Sequence, residues 1–178
     1  MKHLVPAALA LSFRSPALLA QPTPDAIETF RYDGGALPEG QSPIAVVVQV
    51  LLDRAGIGPG VIDGYRGPMS RSAIRAFEAR EGLTPDGQMD AEVWAALGGD
   101  DRAPVLQDYE ITAADTQDLS APLPEDYAKL AELDKLGFTR VTERLAERFH
   151  MDEGFLKDLN PQATFAAGEV IKVAAPGD

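Results

Sequence analysis

The chain has 178 residues, 45% of them hydrophobic, enough to bury one or two modest cores and too apolar for disorder throughout. Its 28 acidic residues against 16 basic ones give a net charge of -12, which argues against nucleic acid as a partner, and the absence of Cys excludes disulfides, thiolate metal sites and a cysteine nucleophile. With His3 and His150 as the only histidines, catalytic His arrangements and His-rich metal sites have almost nothing to build on, so neither metal nor cofactor is expected and the composition points to binding.

Residues 99–135 hold ten acids against three bases, whereas the stretches on either side are nearly balanced, as when a solvated segment lies between two folded units. In chain order, residues 1–20 open with Lys2 and His3, run apolar to Phe13 and reach Ala20 ahead of Gln21-Pro22-Thr23-Pro24. That is the layout of a secretory signal peptide, with an apolar run too short to span a membrane. The expectation is an exported protein of the periplasm or cell wall, without stable membrane insertion once the signal is removed. A disordered N-terminal tail is the other reading. Residues 21–41 read as a linker.

Residues 42–98 read as three short helices. Ser42-Pro43 supplies a cap and a first-turn proline, after which Ile44, Val47, Val48, Leu51 and Leu52 follow helical spacing to a stop at Gly56. A second helix is expected from Ser70 as cap, with Ala73, Ile74 and Phe77 on one face and Gly82 at its end. The third starts at Asp90 and carries Val93, Trp94 and Leu97. Trp94 lies on the apolar stripe of that helix and reads as core in preference to a sugar-stacking platform.

Residues 99–105 form a second short linker. Beyond it, residues 106–112 alternate as a strand, a helix follows Thr139 with Val141, Leu145 and Phe149 in register, Asp152 caps another bearing Phe155, Leu156 and Leu159, and Val170-Ile171-Lys172-Val173 closes as a strand. Between the first strand and Thr139 lies an insertion near 117–138, with a helix expected over residues 125–136. His150 has no second His or Cys for a metal and is expected to cap or pack against a helix end.

The order Asp63-Gly64-Tyr65-Arg66-Gly67-Pro68, then Ala73-Ile74-Arg75-Ala76-Phe77, Gly82-Leu83-Thr84-Pro85-Asp86-Gly87 and Val93-Trp94-Ala95-Ala96-Leu97 resembles the type-1 peptidoglycan-binding domain family. One departure is Glu78, where that family usually carries Gln. Similarly, Leu145-Ala146-Glu147-Arg148-Phe149-His150-Met151, Phe155-Leu156-Lys157-Asp158-Leu159-Asn160-Pro161 and Gly168-Glu169-Val170-Ile171-Lys172-Val173 resemble a LysM domain, whose usual Gly-Asp-Thr is represented by Ala114-Asp115-Thr116. The implied fold is mainly α with a small α+β part: a three-helix domain, then a β-α-α-β LysM-like domain over residues 106–174 with an inserted helix.

These resemblances imply peptidoglycan as the partner, through its glycan, its stem peptide or both. In the first unit the candidate contacts are Tyr65, Arg66 and Arg71, since guanidinium groups can hold a stem-peptide carboxylate in a bidentate pair; the same arginines read equally well as solvated charges balancing nearby acids. In the second unit Asp115, Thr116, Asn160, Pro161 and Phe165 occupy the two loops that would line a LysM groove, with Asn160-Pro161 also readable as a helix stop. A spacer without a working groove is the other reading of that unit. The tandem resembles the N-terminal half of L,D-transpeptidases, which cross-link stem peptides with a Cys nucleophile. Because the sequence ends at Asp178 with no Cys, the expectation is a non-catalytic wall-binding protein serving cell-wall remodelling, with a truncated transpeptidase as the alternative.

Overall fold

A computed structural model describes residues 21–121 and 137–177, and within them the protein is mostly helical with one two-stranded antiparallel sheet. The expected signal peptide over residues 1–20 and the expected inserted helix over residues 125–136 lie outside the described residues.

Helix α1 (Pro24–Glu28) is capped by Thr23, and helix α2 (Pro43–Arg54) by Ser42, whose hydroxyl accepts from the Ala45 amide. Every residue of α2 from Ile44 to Leu52 is buried, so this helix is the axis of the molecule and not an amphipathic surface element. Helix α3 (Pro68–Glu81) starts three residues earlier than expected. Its N-cap is Gly67, with Pro68 in the first turn, and Ser70 sits inside the helix, where its buried hydroxyl faces Gln49 and the Tyr65 carbonyl instead of capping. Gly82 closes α3 in the left-handed conformation. Helix α4 (Ala91–Ala96) is capped by Asp90, which accepts from the Val93 amide at 2.9 Å.

The segments read as linkers are packed. Residues 21–41 contain α1, bury Ile27 and Leu37, and lay Tyr32 and Phe30 against Trp94, with ring centroids 5.2 and 6.1 Å away. Trp94 is 3% exposed and donates its indole N–H to Asp100, which places it in the core as expected. Over residues 99–105, Arg102 lies above the Trp94 ring and donates to the carbonyls of Gly99, Glu28 and Phe30, stitching both segments to α4.

Strand β1 (Leu106–Glu110) pairs with β2 (Val170–Ala174), Leu106 opposite Ala174 and Glu110 opposite Val170. The first strand is shorter than expected because Thr112 begins helix α5 (Ala113–Thr116) with a reciprocal Thr112–Asp115 capping box. Helices α6 (Val141–Arg148) and α7 (Glu153–Leu159), the latter capped by Asp152, complete this part and pack on each other and on the sheet.

The two parts share one core. The Ile62 amide donates to the His150 carbonyl at 2.7 Å, and the Asp152 amide returns a bond to Ile62. Asp53, at the end of α2, meets the His150 ring at 2.9 Å and accepts from the Gly177 amide, while Arg54 donates to the carbonyls of Ala175, Ala103 and Pro104. His150 therefore does more than finish a helix. Its left-handed backbone (φ 55°) lets the Met151 amide close back on Ala146, and its ring reaches across to the other part.

Candidate functional site

Helix α3 places Arg71 and Arg75 four residues apart, hence on one face, and the loop before it adds Arg66. These three guanidinium-bearing side chains line one cleft of about 310 Å³, whose opposite wall is the turn carrying Asp86, Gly87 and Gln88. Gly87 has φ +75°, and a Cβ there would lie 2.8 Å from the Arg71 carbonyl oxygen, so the turn can approach α3 this closely only as glycine.

Glu78 holds that turn from beneath. It is 1% exposed, and its carboxylate accepts from the Gly87 amide at 2.7 Å. Burial pushes its carboxyl above the ordinary range; the Gly87 hydrogen bond opposes this, and the neighbouring Asp86 adds to it.

The three arginines are committed to different degrees. Arg66 donates to the Leu37 carbonyl and meets the exposed Glu39 at 3.4 Å, and Arg75 donates to the Asp86 carbonyl at 3.0 Å. Among the described residues, the Arg71 guanidinium has no hydrogen bond or ion pair. A cleft with three cations, one of them uncommitted, is chemically suited to a carboxylate, which can take two parallel N–H donors from one guanidinium. The structure thus brings Arg66 and Arg71 together and adds Arg75, whose spacing from Arg71 places both on one helix face.

Tyr65 does not join them. It is 48% exposed beside Val61 and Met69, in a separate groove.

In the second part, the expected groove residues have diverse surroundings. Asp115 is 1% exposed and is held by the Tyr109 hydroxyl at 2.7 Å, the Thr112 amide and hydroxyl, and Arg148. Burial pushes its carboxyl up, but the hydrogen bonds from Tyr109, Thr112 and Arg148 outweigh that and bring it down to about 2. Thr116 donates to the Ala113 carbonyl. Asn160 ties α7 to β2, its amide donating to the Leu156 and Lys172 carbonyls and its side-chain oxygen accepting from the Lys172 amide. Asn160 and Pro161 line a shallow pocket of about 220 Å³ with Ala163, Glu169 and Val170; Asp115, Thr116 and Phe165 are not in its lining. Phe165 is half-buried against the core with φ 57°, in a loop that Glu169 organises by accepting from the Thr164 and Ala166 amides.

Residues 41–97 match the family model described as "Putative peptidoglycan binding domain". The matched stretch contains Arg66, Arg71, Arg75, Glu78 and the Asp86–Gly87 turn, so the cationic side of the cleft lies wholly within it. The match supports peptidoglycan as a partner and the cell wall as the setting, and it describes a binding domain, not a catalytic one. No curated protein matches the chain. Among the described residues, no helix is long and apolar enough to cross a membrane, and no cluster of three His, Cys, Asp or Glu side chains could hold a metal ion.

Proposed function

We propose that the protein binds peptidoglycan without acting on it chemically, and that the arginine cleft receives a carboxylate of the stem peptide. The observation that carries this reading is the Arg71 guanidinium, which has no partner among the described residues and lines the same cleft as Arg66 and Arg75, inside the matched stretch. With a net charge of -12, the protein gains nothing from long-range attraction to an anionic wall, so recognition depends on this local cationic surface within a Debye length.

The order β1-α5-α6-α7-β2, with the two strands paired, supports reading the second part as LysM-like. In this proposal it supplies a further weak contact through the pocket at Asn160 and Pro161, while Asp115 serves the fold. Two weak contacts on one repetitive polymer can raise retention by about 10² to 10⁴ over either alone, provided that both engage at once. The role is that of an exported targeting protein for cell-wall remodelling.

The test is co-sedimentation of the full chain with purified peptidoglycan sacculi. Retention that weakens with salt is expected; protein left in the supernatant at both low and moderate salt overturns the reading.

A further inference from the structure

Three of the four exposed large hydrophobic residues among the described ones lie together, Val61 at 53%, Tyr65 at 48% and Met69 at 60% exposure. They rim a groove of about 210 Å³ between the 59–65 loop and the start of α3. Their arrangement is held from inside by Gln49, a polar residue in the midst of the buried α2. Its amide donates to Asp63 Oδ1 at 2.8 Å and reaches the carbonyls of Val61 and Tyr65, and its side-chain oxygen accepts from the amides of Gly64 and Asp63. Asp63 Oδ1 also accepts from the Tyr65 amide. The loop's polar backbone is thereby satisfied inward and Ile62 is buried in the core, while Val61 and Tyr65 stay outside beside Met69, where they add nothing to the core.

We infer that this groove is a saccharide subsite that takes one sugar ring of the glycan strand, with the C–H face of the ring against Tyr65 and Met69. Its size suits a single ring, and its chemistry is mixed in the way that a pyranose is mixed. The Tyr65 ring, Val61 and Met69 offer apolar contact, while among the described residues the Tyr65 hydroxyl and Asp63 Oδ2 have no hydrogen-bond partner and are left for hydroxyl or acetamido groups. Tyr65 and Arg66 are adjacent in the chain yet line different depressions, so one loop separates a groove for the sugar from a cleft for the carboxylate. The inference rests on the peptidoglycan reading above and deepens it by giving glycan and stem peptide separate places.

The full chain, ¹⁵N-labelled, is titrated separately with an N-acetylglucosamine tetramer and with a free stem tetrapeptide. The sugar is expected to shift the amides of Val61, Tyr65 and Met69, and the peptide those of Arg71 and Gly87. Tyr65→Ala should weaken sugar binding about fivefold to tenfold and leave peptide binding within about twofold, while Tyr65→Phe, which keeps the ring and loses only the hydroxyl, should weaken sugar binding less than Tyr65→Ala does and leave peptide binding within about twofold. A thermal melt of Tyr65→Ala matching wild type shows that the loss is local. The inference is overturned if sacculi and peptide bind but the tetramer shifts no groove amide, or if Tyr65→Ala binds the tetramer as well as wild type does. Failure of sacculi to retain the wild-type chain instead removes the peptidoglycan reading, and this inference with it.

Discussion

Replacing Arg71 by Ala tests the carboxylate cleft with the least collateral change. Among the described residues its guanidinium bonds to nothing in the protein, so its loss leaves no internal acceptor unpaired, whereas Arg66→Ala strands the Leu37 carbonyl and Arg75→Ala releases the Asp86 carbonyl that helps to place the turn. A hydrogen bond to a charged group contributes about 1.5–3 kcal/mol; at an open, solvated cleft the lower end applies, and about 1.4 kcal/mol corresponds to a tenfold change in Kd. Arg71→Ala should therefore weaken binding of a free stem tetrapeptide about tenfold, measured by calorimetry or amide-shift titration, with Tm unchanged within about 2 °C. Arg71→Lys should recover part of the loss, since it keeps the charge but not the paired donors, and the wild-type advantage should shrink as salt rises. Undiminished peptide affinity in a folded Arg71→Ala variant would refute the assignment of the cleft.

Glu78→Gln should raise the melting temperature by a few degrees at pH 7 and by less at pH 4. Burial raises the carboxyl in the folded state, so Glu78 disfavours folding as pH rises above its unfolded value near 4.3, and the neutral amide can still accept from Gly87. A melt in which the two proteins keep the same difference at both pH values counts against this. Asp115 works in the opposite sense. With a folded carboxyl at about 2 against about 3.9 unfolded, it contributes about 2–3 kcal/mol that is present above pH 4 and is lost as pH falls towards 2. Asp115→Asn should therefore lower stability at pH 7 and flatten the acid limb of a urea-denaturation series. Gly87→Ala puts a Cβ against the Arg71 carbonyl at a left-handed position and should cost about 1–2 kcal/mol in chemical denaturation while reducing peptide affinity, because the cleft wall shifts.

Local signals in the sequence were dependable where a single side chain satisfies a single backbone group. Ser42, Asp90 and Asp152 cap the helices they were expected to cap. Ser70 misled because two signals competed: Pro68 is equally suited to a first turn, and the buried Gln49 was on hand to occupy the serine hydroxyl. In residues 21–41, Ile27 and Leu37 bury by docking on distant residues, which leaves no periodicity to see. Asp115 reads as a groove residue from its place after the first strand. The Thr112-x-x-Asp115 spacing already contained the capping box that accounts for it. At the candidate site Arg66 and Arg71 were legible as cations beside a turn. The role of Glu78 was not, because its partner Gly87 lies across a turn that only the fold closes.

The junction at Asp53 gives the molecule a property that neither part has separately. Because one carboxylate meets both His150 and the Gly177 amide, and Ile62 exchanges backbone bonds across the same seam, the arginine cleft and the Asn160 pocket are carried on one frame instead of being strung on a chain. Under the proposed function, such a frame would act as a ruler, favouring wall segments whose repeat matches its own spacing, so that selectivity would come from the period of the polymer as well as from the chemistry of any one repeat.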